Sequence, residues 1–299
     1  MFRTFKEIED YVFKNNIIKT VALANAEDDN ALEAVVSAKR KGIIKAILIG
    51  NVLKIKELLN SWNENLNDYK FIECSDELES AKIAVNLVKT KEADFPMKGL
   101  MMTSSFMKAI LDKENGLIEK GKLLSQASVV EFKEENRFII ISDCAVNIDP
   151  DVDKKIKITQ NAINLANVLG IKKPNVAVLS ALEKVNPSIQ STVDADIIAK
   201  YDGFNNMGSI CGPLALDIAI SKEAAKHKGI NSEVCGNADI LIVPDLASGN
   251  IFSKGLVFFA HLKMAGVLNG IKSPVVMTSR TDTPEDKYLS ILMAVLQSL

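Results

Sequence analysis

The sequence predicts an α/β protein with mostly parallel sheets. Short β-branched runs alternate with longer amphipathic stretches, and the spacing leaves room for helical crossovers between strands. At 299 residues, 47% hydrophobic and 25% charged, the chain can bury a large core without disulfides or a structural metal, and its length suits two domains.

The elements follow in order. Residues 20–24 (Thr-Val-Ala-Leu-Ala) read as a buried strand, 30–41 as a helix with Leu32, Val35 and Val36 on one face, and 45–50 as the next strand, giving β-α-β. A helix over 53–62, a strand over 70–74 and a helix over 76–88, opened by Ser75, continue the alternation. Residues 99–103 then read as a strand leading into a helix that begins near Ser104 and Ser105.

After Gly121 the pattern changes. Residues 127–132 and 138–141 are apolar runs separated only by Lys133-Glu134-Glu135-Asn136, which predicts an antiparallel hairpin. A strand over 176–180, a helix within 212–227, a strand over 240–243 and a helix over 250–264 form a second α/β unit. The chain closes with a strand over 274–279 and a helix over 284–299 whose composition matches the first half. With no repeat or Gly/Ser-rich linker, the boundaries come from topology: 1–124 plus 270–299 as one discontinuous domain, and 125–269 as the other.

Composition narrows the function. The formal net charge is −2 and the lysines are dispersed, so a nucleic-acid partner is not expected. Cys74, Cys144, Cys211 and Cys235 lack C-x-x-C spacing and the only histidines are His227 and His261, so no metal site is expected and the thiols read as reduced. The N-terminus becomes charged at Arg3, and no uncharged apolar run approaches the roughly 20 residues of a membrane span. A cytoplasmic protein is the expectation.

Gly116-Leu117-Ile118-Glu119-Lys120-Gly121-Lys122 matches G-x-x-x-x-G-K, but Leu123 stands where a Mg²⁺-binding hydroxyl belongs and no strand precedes it; a loop after a helix C-cap is the better reading. Nucleophile-elbow, HExxH and GxGxxG motifs are absent from the sequence.

The end of the chain is more informative. A strand ending at Thr278 delivers Ser279 and Arg280 to a loop that closes into a helix after Thr283-Pro284-Glu285-Asp286. Ligands bind at the carboxyl ends of strands in open α/β sheets, and a helix N-terminus favours an anion. Arg280 is one of four arginines, with Arg3, Arg40 and Arg137, against a large excess of lysine, and a guanidinium there suits bidentate anion recognition; a surface ion pair is the plain alternative. Thr283 as N-cap, Pro284 at N1 and Asp286 at N3 also make an ordinary capping arrangement. Residues 244–250, with Gly249 and Asn250, form a second strand-to-helix loop. Residues 203–212, up to Gly212, read as a polar loop able to cover a ligand.

Consecutive blocks carry a family resemblance over nearly the whole length. They include Met97-Lys98-Gly99-Leu100, Asn147-Ile148-Asp149-Pro150-Asp151, Ala181-Leu182-Glu183-Lys184-Val185-Asn186-Pro187, Gly212-Pro213-Leu214-Ala215-Leu216-Asp217 and Thr278-Ser279-Arg280. With these the sequence resembles the phosphate acetyl/butyryl transferases, the butyryl type above all. The resemblance implies a two-domain fold of the isocitrate/isopropylmalate dehydrogenase kind with a cleft between the domains. It also implies a homodimer or higher homo-oligomer, and reversible transfer of a short acyl group between coenzyme A and inorganic phosphate in a ternary complex. Coenzyme A is then a substrate, and neither metal nor bound cofactor is needed.

Carried onto this chain, the resemblance gives Ser279 the CoA sulfur or the transition state and Arg280 the phosphate. The catalytic aspartate is Asp286 by spacing or Asp282 by local pattern. Thr103, Ser104, Ser105, Gly212, Gly249 and Asn250 are the expected substrate-binding positions. Relatives commonly carry an arginine where this chain has Ile118 and Glu119, a histidine at Gln126 and a tyrosine at Ser253. These departures leave room for a catalytically weak protein that still binds CoA or acyl phosphate. An NAD-dependent oxidoreductase of the same fold is a third reading, for which no metal-binding aspartates or nicotinamide site can be located in the sequence.

Overall fold

A computed structural model describes residues 1–118 and 120–299. The chain divides into two compact units, one of Phe5–Lys122 with Ala265–Leu299, the other of Met1–Thr4 with Leu123–Met264. The mixed α/β architecture and mostly parallel sheets agree with the sequence prediction.

The first unit opens with α1 (Phe5–Lys14), then β1 (Lys19–Ala24), α2 (Asp29–Arg40), β2 (Ile44–Gly50), α3 (Val52–Ser61), β3 (Lys70–Glu73), α4 (Glu77–Lys89), β4 (Phe95–Lys98) and α5 (Thr103–Ile110). The four strands lie parallel in the order β3-β2-β1-β4. Strand β1 therefore has its first crossover partner on one side and its last on the other, so strand order reverses between β1 and β4. Asp28, Asn51 and Asp76 each accept a backbone N–H from the first turn of α2, α3 and α4. The helix expected over 76–88 thus begins one residue later, with Asp76 rather than Ser75 as its cap.

Two expectations for this unit need correction. Residues 99–103 are not a strand, because β4 lies earlier at Phe95–Lys98 and Gly99 starts the connection to α5. Residues 274–279 run beside β4 but make only an isolated parallel bridge, Val276 with Met97. Val276 N donates to Pro96 O and Lys98 N to Val276 O. Pro96 and Pro274 have no N–H to give, which limits the ladder to this short stretch.

The second unit contains β5 (Ser125–Phe132), β6 (Arg137–Ser142), α6 (Val152–Val168), β7 (Asn175–Leu179), α7 (Gln190–Ala199), β8 (Ser209–Leu214), α8 (Leu216–Ile220), α9 (Lys222–His227), β9 (Ile240–Ile242) and α10 (Leu246–Phe258). Its strands run in the order β5-β6-β9-β7-β8, with β5 and β6 the predicted antiparallel hairpin and the other pairings parallel. Asn136 closes the hairpin in the left-handed region at φ 49°. Residues 203–212 are corrected too: the second half of the expected loop is strand β8, paired with β7. Its small residues fit an edge strand whose first four residues are only half-buried.

The chain leaves this unit along β10 (Met264–Asn269) and ends in α11 (Pro284–Gln297). The helix expected over 250–264 starts earlier and stops at Phe258, and the strand after it was not expected. Helix α10 is apolar around much of its circumference, so its pattern runs on into β10 without a visible break; His261, at φ 52°, marks the turn between them. Helix α11 buries ten of its fourteen residues and packs against α1 and α2 of the first unit.

Candidate functional site

The carboxyl ends of β1 and β4 meet where strand order reverses, the position at which open α/β sheets bind ligands. Gly99 brings the chain in close there: a Cβ on it would lie 2.1 Å from Asn25 O, so only glycine lets the connection cross the end of β1. Asn25 itself turns in the left-handed region (φ 48°), donating its N–H to Ser80 Oγ and its Nδ2 to Leu100 O.

Residues 279–282, following the segment beside β4, form a tight turn at this edge. Ser279 N donates to Asp282 Oδ2 at 2.7 Å, Asp282 N returns a bond to Ser279 O at 3.3 Å, and Ser279 Oγ lies 3.1 Å from Thr281 Oγ1. Ser279 and Arg280 are exposed. Among the described residues Arg280 has no hydrogen-bonding or ion-pair partner, so the surface ion pair weighed from sequence is not formed. The turn holds an unpartnered guanidinium next to an exposed hydroxyl that is bonded only to Thr281.

Asp282 and Asp286 are both engaged locally. Asp286 completes a capping box with Thr283, whose Oγ1 donates to Asp286 Oδ2 at 2.7 Å and accepts Asp286 N at 3.2 Å. Asp282 holds the backbone of Ser279. The two aspartates thus do different work on the same loop.

Thr103, Ser104 and Ser105 form the first turn of α5, which follows directly from β4. The N-cap is Met102, which offers no side-chain acceptor; its own N–H is taken by Glu77 Oε2. Among the described residues the N–H groups of Thr103 and Ser104 have no acceptor, which leaves them available to an anion.

Gly212, Gly249 and Asn250 belong to the other unit. Gly212 is in β8. Gly249 and Asn250 are in the first turns of α10, behind the capping box of Asp245 and Ser248. A Cβ on Gly249 would fall 2.3 Å from Asp143 O, and Asn250 Nδ2 donates to Cys144 O at 3.3 Å. Burial pushes the Cys144 thiol up to about 12, so it has no nucleophilic role.

Among the departures, Ile118 makes an antiparallel bridge to Ile271, while Glu119 lies outside the described residues. Gln126 is buried, its Nε2 bonding Ala127 O and its Oε1 unpartnered. Ser253 is buried and donates to Asn250 O.

Sequence reasoning missed two residues of the first unit. Lys98, the last residue of β4, is 3% exposed, and Lys287, in the first turn of α11, is 2% exposed. Lys287 Nζ donates to Ser279 O at 2.6 Å and to Thr278 Oγ1 at 3.1 Å, tying down the turn from beneath. Lys98 Nζ has only Gly99 O and Met101 O, at 3.3 and 3.4 Å. Burial lowers the pKa of both, and Lys98 is further lowered by Lys287. A signal existed for Lys287, since lysine in the first turn of a helix runs against the helix dipole.

A mixed α/β protein with an exposed arginine and serine on a tight turn at the switch point of a parallel sheet is the class these features define, and the comparisons refine it. The family profile described as Phosphate acetyl/butaryl transferase matches residues 77–295. The chain is 40% identical over 298 residues to the phosphate butyryltransferase of Clostridium acetobutylicum, covering 99% of this chain and 98% of that one. It is 40% identical over 283 residues to the phosphate acetyltransferase of Thermotoga maritima, with 93% and 95% covered. The structure of a branched-chain phosphotransacylase from Enterococcus faecalis V583 superimposes with a TM-score of 0.83 at 35% identity, over 94% of this chain and 99% of that one. The chain belongs to the phosphate acetyl/butyryl transferase family, and it is an acyltransferase.

Proposed function

We propose that the protein transfers a short acyl group, butyryl by preference, reversibly between coenzyme A and inorganic phosphate. The observation that carries this reading is the unpaired Arg280 guanidinium beside the Ser279 hydroxyl at the switch point of the sheet. In the ternary complex Arg280 binds phosphate bidentately, helped by the free N–H groups at the start of α5. A phosphate oxygen attacks the thioester carbonyl, the C–S bond breaks, and the CoA sulfur leaves as a thiolate that Ser279 Oγ–H stabilises. Acyl phosphate and CoA are the products. Placement of the two anions is the main catalytic contribution, and no metal or bound cofactor enters the scheme. The reaction is to run unchanged in a chelator; loss of turnover there, restored by a divalent ion, overturns that part.

Phosphate-dependent release of CoA from butyryl-CoA and acetyl-CoA, followed with a thiol reagent, tests the activity and ranks the acyl groups. Arg280→Ala is expected to lower turnover by about 100-fold or more, because a lost donor to a developing anion typically costs about 2.7–4 kcal/mol. Its thermal midpoint should hardly move, since the side chain is exposed and unpaired. Normal turnover in that variant overturns the site assignment. The apolar Ile118 at the family's arginine position favours one second reading, a protein that binds CoA with little turnover; CoA binding by calorimetry without product identifies it.

We also infer a cytoplasmic homodimer or higher homo-oligomer. The reduced cysteines and the coenzyme A substrate support the compartment. Helix α10 supports the assembly, since Ile251, Phe258 and the following Phe259 are 72%, 62% and 90% exposed on a helix that buries only Gly249 and Ser253.

A further inference from the structure

The scheme above leaves two buried ammonium groups unused. Lys98 and Lys287 stand at the carboxyl ends of β4 and of the segment beside it, under the turn of residues 279–282. Among the described residues neither forms an ion pair. Their acceptors are neutral: two carbonyls at long range for Lys98, and one carbonyl and one hydroxyl for Lys287. The charges facing Lys98 are Lys287, Asp28, Arg280 and Asp282, and those facing Lys287 are Asp28, Asp282 and Asp286 as well as Lys98. A buried ammonium without a close carboxylate is costly, and two that repel each other are costlier. A purely structural role for Lys98 would be better served by an apolar side chain, because every residue of β4 is buried.

We propose that Lys98 and Lys287 form a cationic floor beneath the turn that makes the site selective for a doubly charged phosphoryl oxyanion. The inference rests on the acyltransferase reading for its reaction, but not for its anion. Both groups are covered, so they act as positioning residues: Lys98 through its field, Lys287 through its field and through its bond to Ser279 O. The dianion of phosphate, or the phosphoryl group of an acyl phosphate, supplies the negative charge that the unliganded floor lacks. In turn, the anion favours the protonated lysines and should draw protons onto them. Because burial has lowered both pKa values, the floor loses its charge at a lower pH than ordinary lysines would. Phosphate affinity should therefore fall on the alkaline side through that depressed range.

The test measures KM for phosphate and for acyl-CoA separately, from neutral to alkaline pH, in the wild type, Lys98→Met, Lys98→Arg and Lys287→Arg. Lys98→Met should raise the phosphate KM about tenfold, the scale expected for one charge several ångströms from a dianion, and leave the acyl-CoA KM within about twofold. Its thermal midpoint should stay level or rise, which a structural strut would not do. Lys98→Arg should keep the phosphate affinity and carry the alkaline loss to higher pH. Lys287→Arg, which keeps the charge but not the fit to Ser279 O, should lower kcat more than it changes the phosphate KM.

An unchanged phosphate KM in Lys98→Met, or an equal rise in both KM values, overturns the proposal. Calorimetry on the wild type adds a measurement that needs no variant and no turnover: phosphate or sulfate, titrated at alkaline pH in two buffers of different ionisation enthalpy, should show net proton uptake. Binding without uptake, or no binding of either anion, also overturns it. If the wild type binds these anions with uptake but transfers no acyl group, the acyltransferase reading fails and the cationic floor stands.

Discussion

Asp282 and Asp286 sit on one loop but hold different groups, Asp282 the backbone of Ser279 and Asp286 the cap of α11, a division that hydrogen bonds across a turn decide and residue spacing does not. Asp282→Ala frees Ser279 N and loosens the turn, and a misplaced reacting group commonly costs on the order of 100-fold, so kcat should fall by about that amount. Asp286→Ala removes half of the capping box and should cost about 1 kcal/mol of stability, visible as a lower thermal midpoint. If Asp286→Ala instead abolishes turnover at unchanged stability while Asp282→Ala stays active, the roles are reversed. Lys98 escaped notice because a lysine ending an apolar run reads as the exposed end of a strand, and only tertiary packing covers it.

At the scale of elements, the β-branched runs gave β1, β2, β5, β6, β7 and β9 because period and composition agreed there. The errors cluster where they disagree. Strand β10 hides behind an apolar helix, β8 is built largely from small residues, and residues 274–279 have a strand's composition but begin with Pro274 and face Pro96 of β4, which shortens the ladder. Element packing also carries a pH prediction. Glu9 on α1 accepts from Tyr288 on α11 and pairs with Lys41 after α2, while Lys6 bonds it from its own helix. Burial alone would raise its pKa, but the bonds from Lys41, Tyr288 and Lys6 outweigh it and hold the carboxyl at about 2. A depressed carboxyl stabilises the fold above its unfolded pKa near 4.5 and loses that contribution as pH falls toward 2. Glu9→Gln should therefore lower stability at neutral pH by on the order of 1 kcal/mol, since solvent screens part of this half-exposed network, with the gap to wild type closing over that acid range in denaturant titrations.

For the molecule as a whole, the proposed assembly is tested at the exposed end of α10. Phe258→Ser with Phe259→Ser should shift the protein to a smaller species in sedimentation, and an unchanged sedimentation coefficient removes this helix from the interface. Topology has a different consequence, in time rather than space. Phe5–Lys122 is completed only by Ala265–Leu299, and the entire Leu123–Met264 segment is synthesised in between. The half-built first unit leaves the ribosome with the faces of α1 and α2 that α11 will cover still bare, and it must keep them from other chains until the last helix arrives. The turn carrying Ser279 and Arg280 arrives with that helix, so a nascent chain gains this turn only in the step that closes its oldest domain.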